Sequence, residues 1–314
     1  MENLLFCLNA TVPIFLTMLL GLLFRRVGLM DDAFVKKINR FVFVAALPVL
    51  TFEDLATVDF AQMWDGRFVL FCFSATFLSV LLAAAVSCGL RNKSIQGEFV
   101  QVSYRSSAAI LGIALIQNLY GSAGMGPLMI IGTVPLYNVM AVIVLSVMKP
   151  ERSRPDGRML AKTCKDIATN PIILGIAAGI LWSVLKIPMP VVLEKTVKNV
   201  AALATPLGLM AMGATIDFKQ AFGKIRPAAA AVFLKLVGLA AIFLPLAVRL
   251  GFTGEKLVAI LVMLGSASTV SCYIMAKNMG HEGTLTSSVV MLTTLFAAVT
   301  LTGWLFLLRT LGLI

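Results

Sequence analysis

The sequence predicts an all-α integral membrane protein of ten transmembrane helices arranged as two inverted five-helix repeats. Three observations predict it. First, 59% of the 314 residues are apolar, 13% are charged and the mean hydropathy is +0.95. A soluble domain is about 45–50% apolar and about 25% charged, so no polar skin could cover this chain. Second, the apolar residues fall into continuous runs near the length that a helix needs to cross a bilayer, about 20 residues. Third, the chain resembles itself at an offset near 160. A β-barrel is excluded because its strands would alternate in short segments.

The runs cover roughly 4–24, 34–55, 67–90, 99–119, 125–148, 166–186, 191–216, 227–250, 255–277 and 284–309. The first lacks a basic leader and a small-residue cleavage site, so it reads as a span rather than a removable signal. Pro13, Pro48, Pro135, Pro171, Pro206 and Pro245 fall inside spans, where neighbouring helices can satisfy the carbonyls that proline frees. With the N-terminus outside, 17 Lys and Arg lie in inner loops and seven in outer ones, the bias expected of inner, cytoplasmic loops. Both termini are then outside a bacterial inner (plasma) membrane. The basic residues orient the chain, and the net charge of +11 implies no nucleic-acid partner. Cys7, Cys72, Cys88, Cys164 and Cys272 have no metal-ligand spacing. His281, the one histidine, reads as a solvated loop residue.

At offset 158, Pro13 aligns with Pro171, Gly21 with Gly179 and Pro48 with Pro206. At offset 160, Ser106 aligns with Ser266, Asn118 with Asn278 and Thr133 with Thr293. The halves are residues 1–150 and 166–314, joined by a cytoplasmic loop at 151–165. Five spans per half is an odd number, so the second half enters the membrane inverted. Inverted repeats characterise secondary transporters, which bind substrate near the midplane between the repeats. Ser/His/Asp sets, HExxH, P-loops and dinucleotide fingerprints are absent, so an enzyme is not expected. A membrane-embedded sensor is the other non-transporter reading.

Two basic residues lie inside spans, Arg105 and Lys235. An intramembrane arginine costs about 2.5–3.5 kcal/mol by insertion scales, and its fork of donors suits a carboxylate. A structural ion pair is the competing reading. Lys235 reads as a structural cation on carbonyls or a carboxylate, with a substrate role as the alternative. The stretches around Ser106 and Ser107 in span 4, and Ser266, Ser268 and Ser271 in span 9, are small and hydroxyl-rich. They fit either close helix packing or a break that turns backbone N–H groups to a ligand. Asn138, one turn after Pro135, offers an amide to the bundle. Glu53 and Asp54 are the best carboxylates for a proton relay. No cofactor is expected, and the coupling ion, proton or sodium, leaves no readable trace.

These motifs resemble the auxin efflux carriers and their bacterial malonate or malate permease relatives. The resemblance runs through Ala46-Leu47-Pro48 and Phe52, Arg105, Leu111-Gly112, Leu119-Tyr120-Gly121, Pro135 and Asn138. It continues through Asn170-Pro171, Gly179, Pro188, Pro206-Leu207, Met212-Gly213-Ala214, Ser271, Tyr273, Met275 and Ala276. It implies interrupted helices 4 and 9 that cross near the midplane, an elevator-like transport domain, small organic anions as substrates and a homodimer. The helix 5 asparagine that holds the carboxylate corresponds to Asn138, and the helix 4 asparagine is replaced by Ser107. Ala114 and Ala267 stand in place of the crossover prolines, with Gly112, Pro135 and Gly265 as further helix-break residues. The expected function is secondary transport of small carboxylates, with a neutral or cationic metabolite as the alternative.

Overall fold

A computed structural model describes residues 2–56, 65–108, 113–121, 124–149, 165, 168–215 and 224–314. The 151–164 part of the predicted loop, and Gly112, lie outside the described residues. Among the described residues there are helices and turns and no strand. Apolar helices are what a bilayer demands, because each helix satisfies its own backbone donors and acceptors.

The first half contains α1 (Glu2–Arg26), α2 (Asp32–Phe41), α3 (Leu47–Ala56), α4 (Gly66–Cys88), α5 (Gln96–Tyr104), α6 (Ile113–Tyr120) and α7 (Gly126–Val147). A π-helical turn at Val42–Ala46 joins α2 to α3, so the predicted second span is one helix with a bulge. The second half contains α8 (Pro171–Val184), α9 (Val191–Ala201), α10 (Ala204–Ala214), α11 (Ile225–Phe233), α12 (Leu239–Arg249), α13 (Gly254–Gly265), α14 (Ser271–Asn278) and α15 (Thr284–Thr310). Among the described residues, five segments are long and apolar enough to cross a membrane: Gly66–Cys88, Gly126–Val147, Val191–Ala214, Ile225–Arg249 and Thr284–Thr310. The helix boundaries recur down the chain: shifting α2 through α7 by 158–160 residues lands on α9 through α15.

Two predicted features are corrected. Pro171 opens a helix and does not interrupt one. Asn170 caps α8 by accepting from the Ile172 N–H, and Pro171 takes the first turn, where a missing N–H costs nothing. His281 is buried, not solvated, and its Nε2 bonds the Leu145 carbonyl at 2.8 Å. The short loop before α15 folds inward at His281, which a polarity pattern cannot show.

α1 runs against α10 and α3 against α8, with glycines at both crossings. A Cβ at Gly21 would strike the Met210 backbone, and one at Gly179 the Phe52 backbone. Offset 158 turns one pair of contacts into the other, Gly21 into Gly179 and Phe52 into Met210. Elsewhere α4 packs on α5 and α7, α12 on α13, and α15 on α1, α11 and α13. Gly21→Ala is expected to destabilise the protein by about 1–3 kcal/mol, since backbone cannot yield to an added methyl. A thermal-melt series in detergent checks this, with Gly303→Ala, where the added methyl meets open space, as control.

The helix ends are tied by charges. Lys256 donates to Asp65 at 2.6 Å, and this bond holds the Asp65 carboxyl below the usual carboxylate range. At the predicted inner face Lys224 pairs with Glu282 and lowers it in the same way.

Candidate functional site

Two helices stop in mid-bundle. α5 has nine residues and α13 twelve, so at about 1.5 Å per residue each reaches about halfway across a hydrocarbon core of about 30 Å. Arg105 leaves α5 with extended backbone, and Arg105, Ser106 and Ser107 are non-helical. In the second half Ser266 also leaves the helix extended, and α14 begins at Ser271. The two breaks touch: the Ser107 N–H donates to the Ala267 carbonyl at 2.9 Å. Residues 107 and 267 are partners at offset 160. The sequence permits the breaks because Ser, Ala and Gly bring backbones close and hydroxyls occupy carbonyls that the missing turns release.

Arg105 is 2% exposed. Its Nη2 donates to Asn138 Oδ1 at 2.7 Å and to Ser271 Oγ at 3.0 Å. Its Nη1 lies 2.9 Å from Met275 Sδ and 3.5 Å from Gln101 Oε1. Its Nε is buried without a hydrogen-bond partner. Among the described residues no carboxylate lies within ion-pair distance of it. All its partners are neutral, so the guanidinium is positioned and its charge is left uncompensated.

Arg105, Ser106, Ser107, Asn138 and Ser271 line one cavity of about 70 Å3, together with Thr51, Asp54, Tyr137, Thr205 and Thr269. Its apolar walls include Leu47, Leu50, Val134, Ile172 and Ile274. Residues from both halves of the chain therefore line it. The positive end of α14 opens onto it at Ser271, a favourable place for an anion. Asp54 is the carboxylate among these lining residues. Asn138 accepts from Arg105 through its oxygen and donates through Nδ2 to the Val134 carbonyl at 3.0 Å, so its amide orientation is fixed.

Other predicted site residues fall elsewhere. Ser268 does not line the cavity: its hydroxyl donates to the Val102 carbonyl at 2.8 Å, and its N–H to Thr293 Oγ1 at 3.1 Å. Ser266 is fully buried, with no partner for its hydroxyl, and is likewise off the cavity wall. Gly265 is the last residue of α13 and Ala267 sits in the break, as crossover residues would. Ala114 lies in the first turn of α6. Pro135 does not break α7, which runs unbroken from Gly126 to Val147. Proline leaves one carbonyl without its helical donor, and neighbouring bonds hold the rest of the turn.

Sequence reasoning missed Gln101, Tyr137 and Thr269. Gln101 is four residues before Arg105, so the two share a helix face, and its Nε2 donates to the Cys272 carbonyl at 2.7 Å across the crossing. The i, i+4 spacing was the available signal. Tyr137 stands beside Asn138 and bonds the Met263 carbonyl at 2.9 Å. Among the described residues no group of three or more His, Cys, Asp or Glu side chains could hold a metal ion.

Residues 6–305 match the family described as membrane transport protein. A protein of Rhizobium meliloti (strain 1021) named "Putative malonate transporter" is 26% identical over 297 residues, which covers 87% of this chain and 86% of that protein.

Proposed function

The chain belongs to the membrane transport protein family, and on that premise we propose that it carries small carboxylates of the malonate class by alternating access. It is a multi-pass membrane transporter and not an enzyme. The observation that carries the substrate class is Arg105. A cation buried in a membrane is expensive unless something neutralises it. Here the protein supplies only neutral partners to the side chain, which lines a cavity and keeps one buried N–H without a partner. An anion of the substrate completes the site, with the Asn138 and Ser271 groups already aligned next to it. The name of the Rhizobium relative points the same way.

The finer architecture we propose is ten spans in two inverted repeats, both termini outside the plasma membrane. The recurrence of helix boundaries at 158–160, the mirrored glycine contacts and the Ser107–Ala267 bond support it. The movement we propose, on the family resemblance, is an elevator-type shift in which the two interrupted helices slide together past their neighbours. Such a shift would carry Arg105 and its anion together, so the charge stays paired during the movement. A homodimer remains part of the proposal on family resemblance.

The test is uptake of radiolabelled malonate into proteoliposomes, with unlabelled competitors. Dicarboxylates of three or four carbons are expected to compete and neutral or cationic metabolites are not. Competition by a neutral amino acid or a polyamine, with none by dicarboxylates, would overturn the substrate class.

A further inference from the structure

Lys235 has no part in the cavity wall, yet it is completely buried. It sits in a π-helical turn, Leu234–Gly238, between α11 and α12. That extra residue per turn re-aims side chains, and the Leu236 carbonyl within it accepts from the Trp304 indole at 3.1 Å. The Lys235 ammonium donates to the Leu264 carbonyl at 2.7 Å, to the Ser106 hydroxyl, and over 3.5 Å to the Tyr104 carbonyl. Three acceptors match the three donors of an ammonium. Among the described residues none of its partners is an acid.

The identity of those acceptors is informative. Tyr104 ends α5, and Leu264 is next to the end of α13. The negative ends of both interrupted helices therefore converge on one cation, which also grips the hydroxyl of the first break. Helix-end carbonyls are the groups with which broken-helix carriers bind sodium. The partner position at offset 160 is Ala75, within the regular helix α4. Ser266, the partner of Ser106, has no acceptor or donor at its hydroxyl. The cation serves one repeat only.

We propose that the Lys235 ammonium is a resident cation that takes the place of a coupling sodium ion, locks the two helix ends together and frees transport from sodium. Lys235 is a positioning residue: it acts on the anion site through Ser106 and the Arg105 backbone turn. The sodium comparison below is independent of the substrate reading, since it is made first without substrate.

The purified protein is melted in sodium chloride and in equimolar choline chloride, and uptake is measured with and without a sodium gradient. Wild-type melting temperature and malonate uptake are expected to agree between the two salts, uptake within about twofold. Lys235→Met keeps the bulk and removes the charge, and is expected to lower the melting temperature by about 5 °C or more. In Lys235→Ala the space is open, and sodium or methylammonium is expected to stimulate uptake about tenfold. Sodium stabilising or accelerating the wild type would overturn the proposal. So would Lys235→Met behaving as wild type, or Lys235→Ala gaining nothing from either cation. Failure of wild-type malonate uptake in both salts would count against the substrate class, and the melts would still decide the role of Lys235.

Discussion

Arg105→Ala is expected to lower malonate binding by about 100-fold or more. Removing one partner of a buried charge pair costs about 3–5 kcal/mol, and each 1.4 kcal/mol is about tenfold in affinity. The loss should appear in the affinity and in uptake alike, because the anion would cross the membrane without its countercharge. Arg105→Met separates this from a structural role. Without substrate the guanidinium is a buried charge with neutral partners only, so replacing it with an apolar chain of similar length should leave the melting temperature unchanged or raise it. A large drop in melting temperature, with transport kept in the survivors, would make Arg105 a structural element and remove the basis of the anion site. Arg105→Lys should be intermediate: it keeps the charge but cannot reach Asn138, Ser271 and the substrate with one planar fork.

Glu98→Ala is expected to destabilise the folded protein by about 3–5 kcal/mol. Glu98 is fully buried at the start of α5. Its Oε1 accepts from the Gly283 N–H at 2.9 Å, and its Oε2 from the Thr286 N–H at 3.0 Å and the Thr286 hydroxyl at 2.9 Å. These donors lie at the N-terminal end of α15, which has no capping side chain of its own. A carboxylate from another helix thus neutralises the positive end of the last helix. Its loss strands three donors, and a melt in detergent should fall by about 5–10 °C. Glu98→Gln keeps acceptor oxygen and should lose less than half as much. Equal losses in both variants would mean that charge, not acceptor count, is what α15 requires.

Glu98 also shows why part of the molecule was illegible in sequence. It stands 185 residues from Gly283, and nothing local announces that a loop glycine and a helix start will meet it. His281 has the same origin: a polar residue in a short loop reads as solvated, and only the packing of the loop on α5 and α7 buries it. Pro135 misled for the opposite reason. Proline signals a break where the backbone stands alone, but α7 is buried on most of its length, and its neighbours keep the helix continuous. The breaks themselves fall at serines and alanines, residue types that are equally common in unbroken membrane helices.

Length and composition by themselves determined that the chain lives in a bilayer as helices, because a hydrocarbon solvent leaves no other way to satisfy a backbone. The spacing of Pro13, Gly21 and Pro48 against Pro171, Gly179 and Pro206 carries the reading of a doubled unit that we propose. The rarity of charge within the spans singled out Arg105 and Lys235, since each cation there must be offset by something. What offsets them only the tertiary structure decided. The Arg105 side chain turns to Asn138, Ser271 and a cavity, and Lys235 turns to two helix ends and a serine. These are contacts over 29 to 166 residues of chain, and their partners are hydroxyls, an amide and carbonyls. Such groups occur throughout the sequence, and they become a site only where two broken helices bring them within hydrogen-bond reach of one charge.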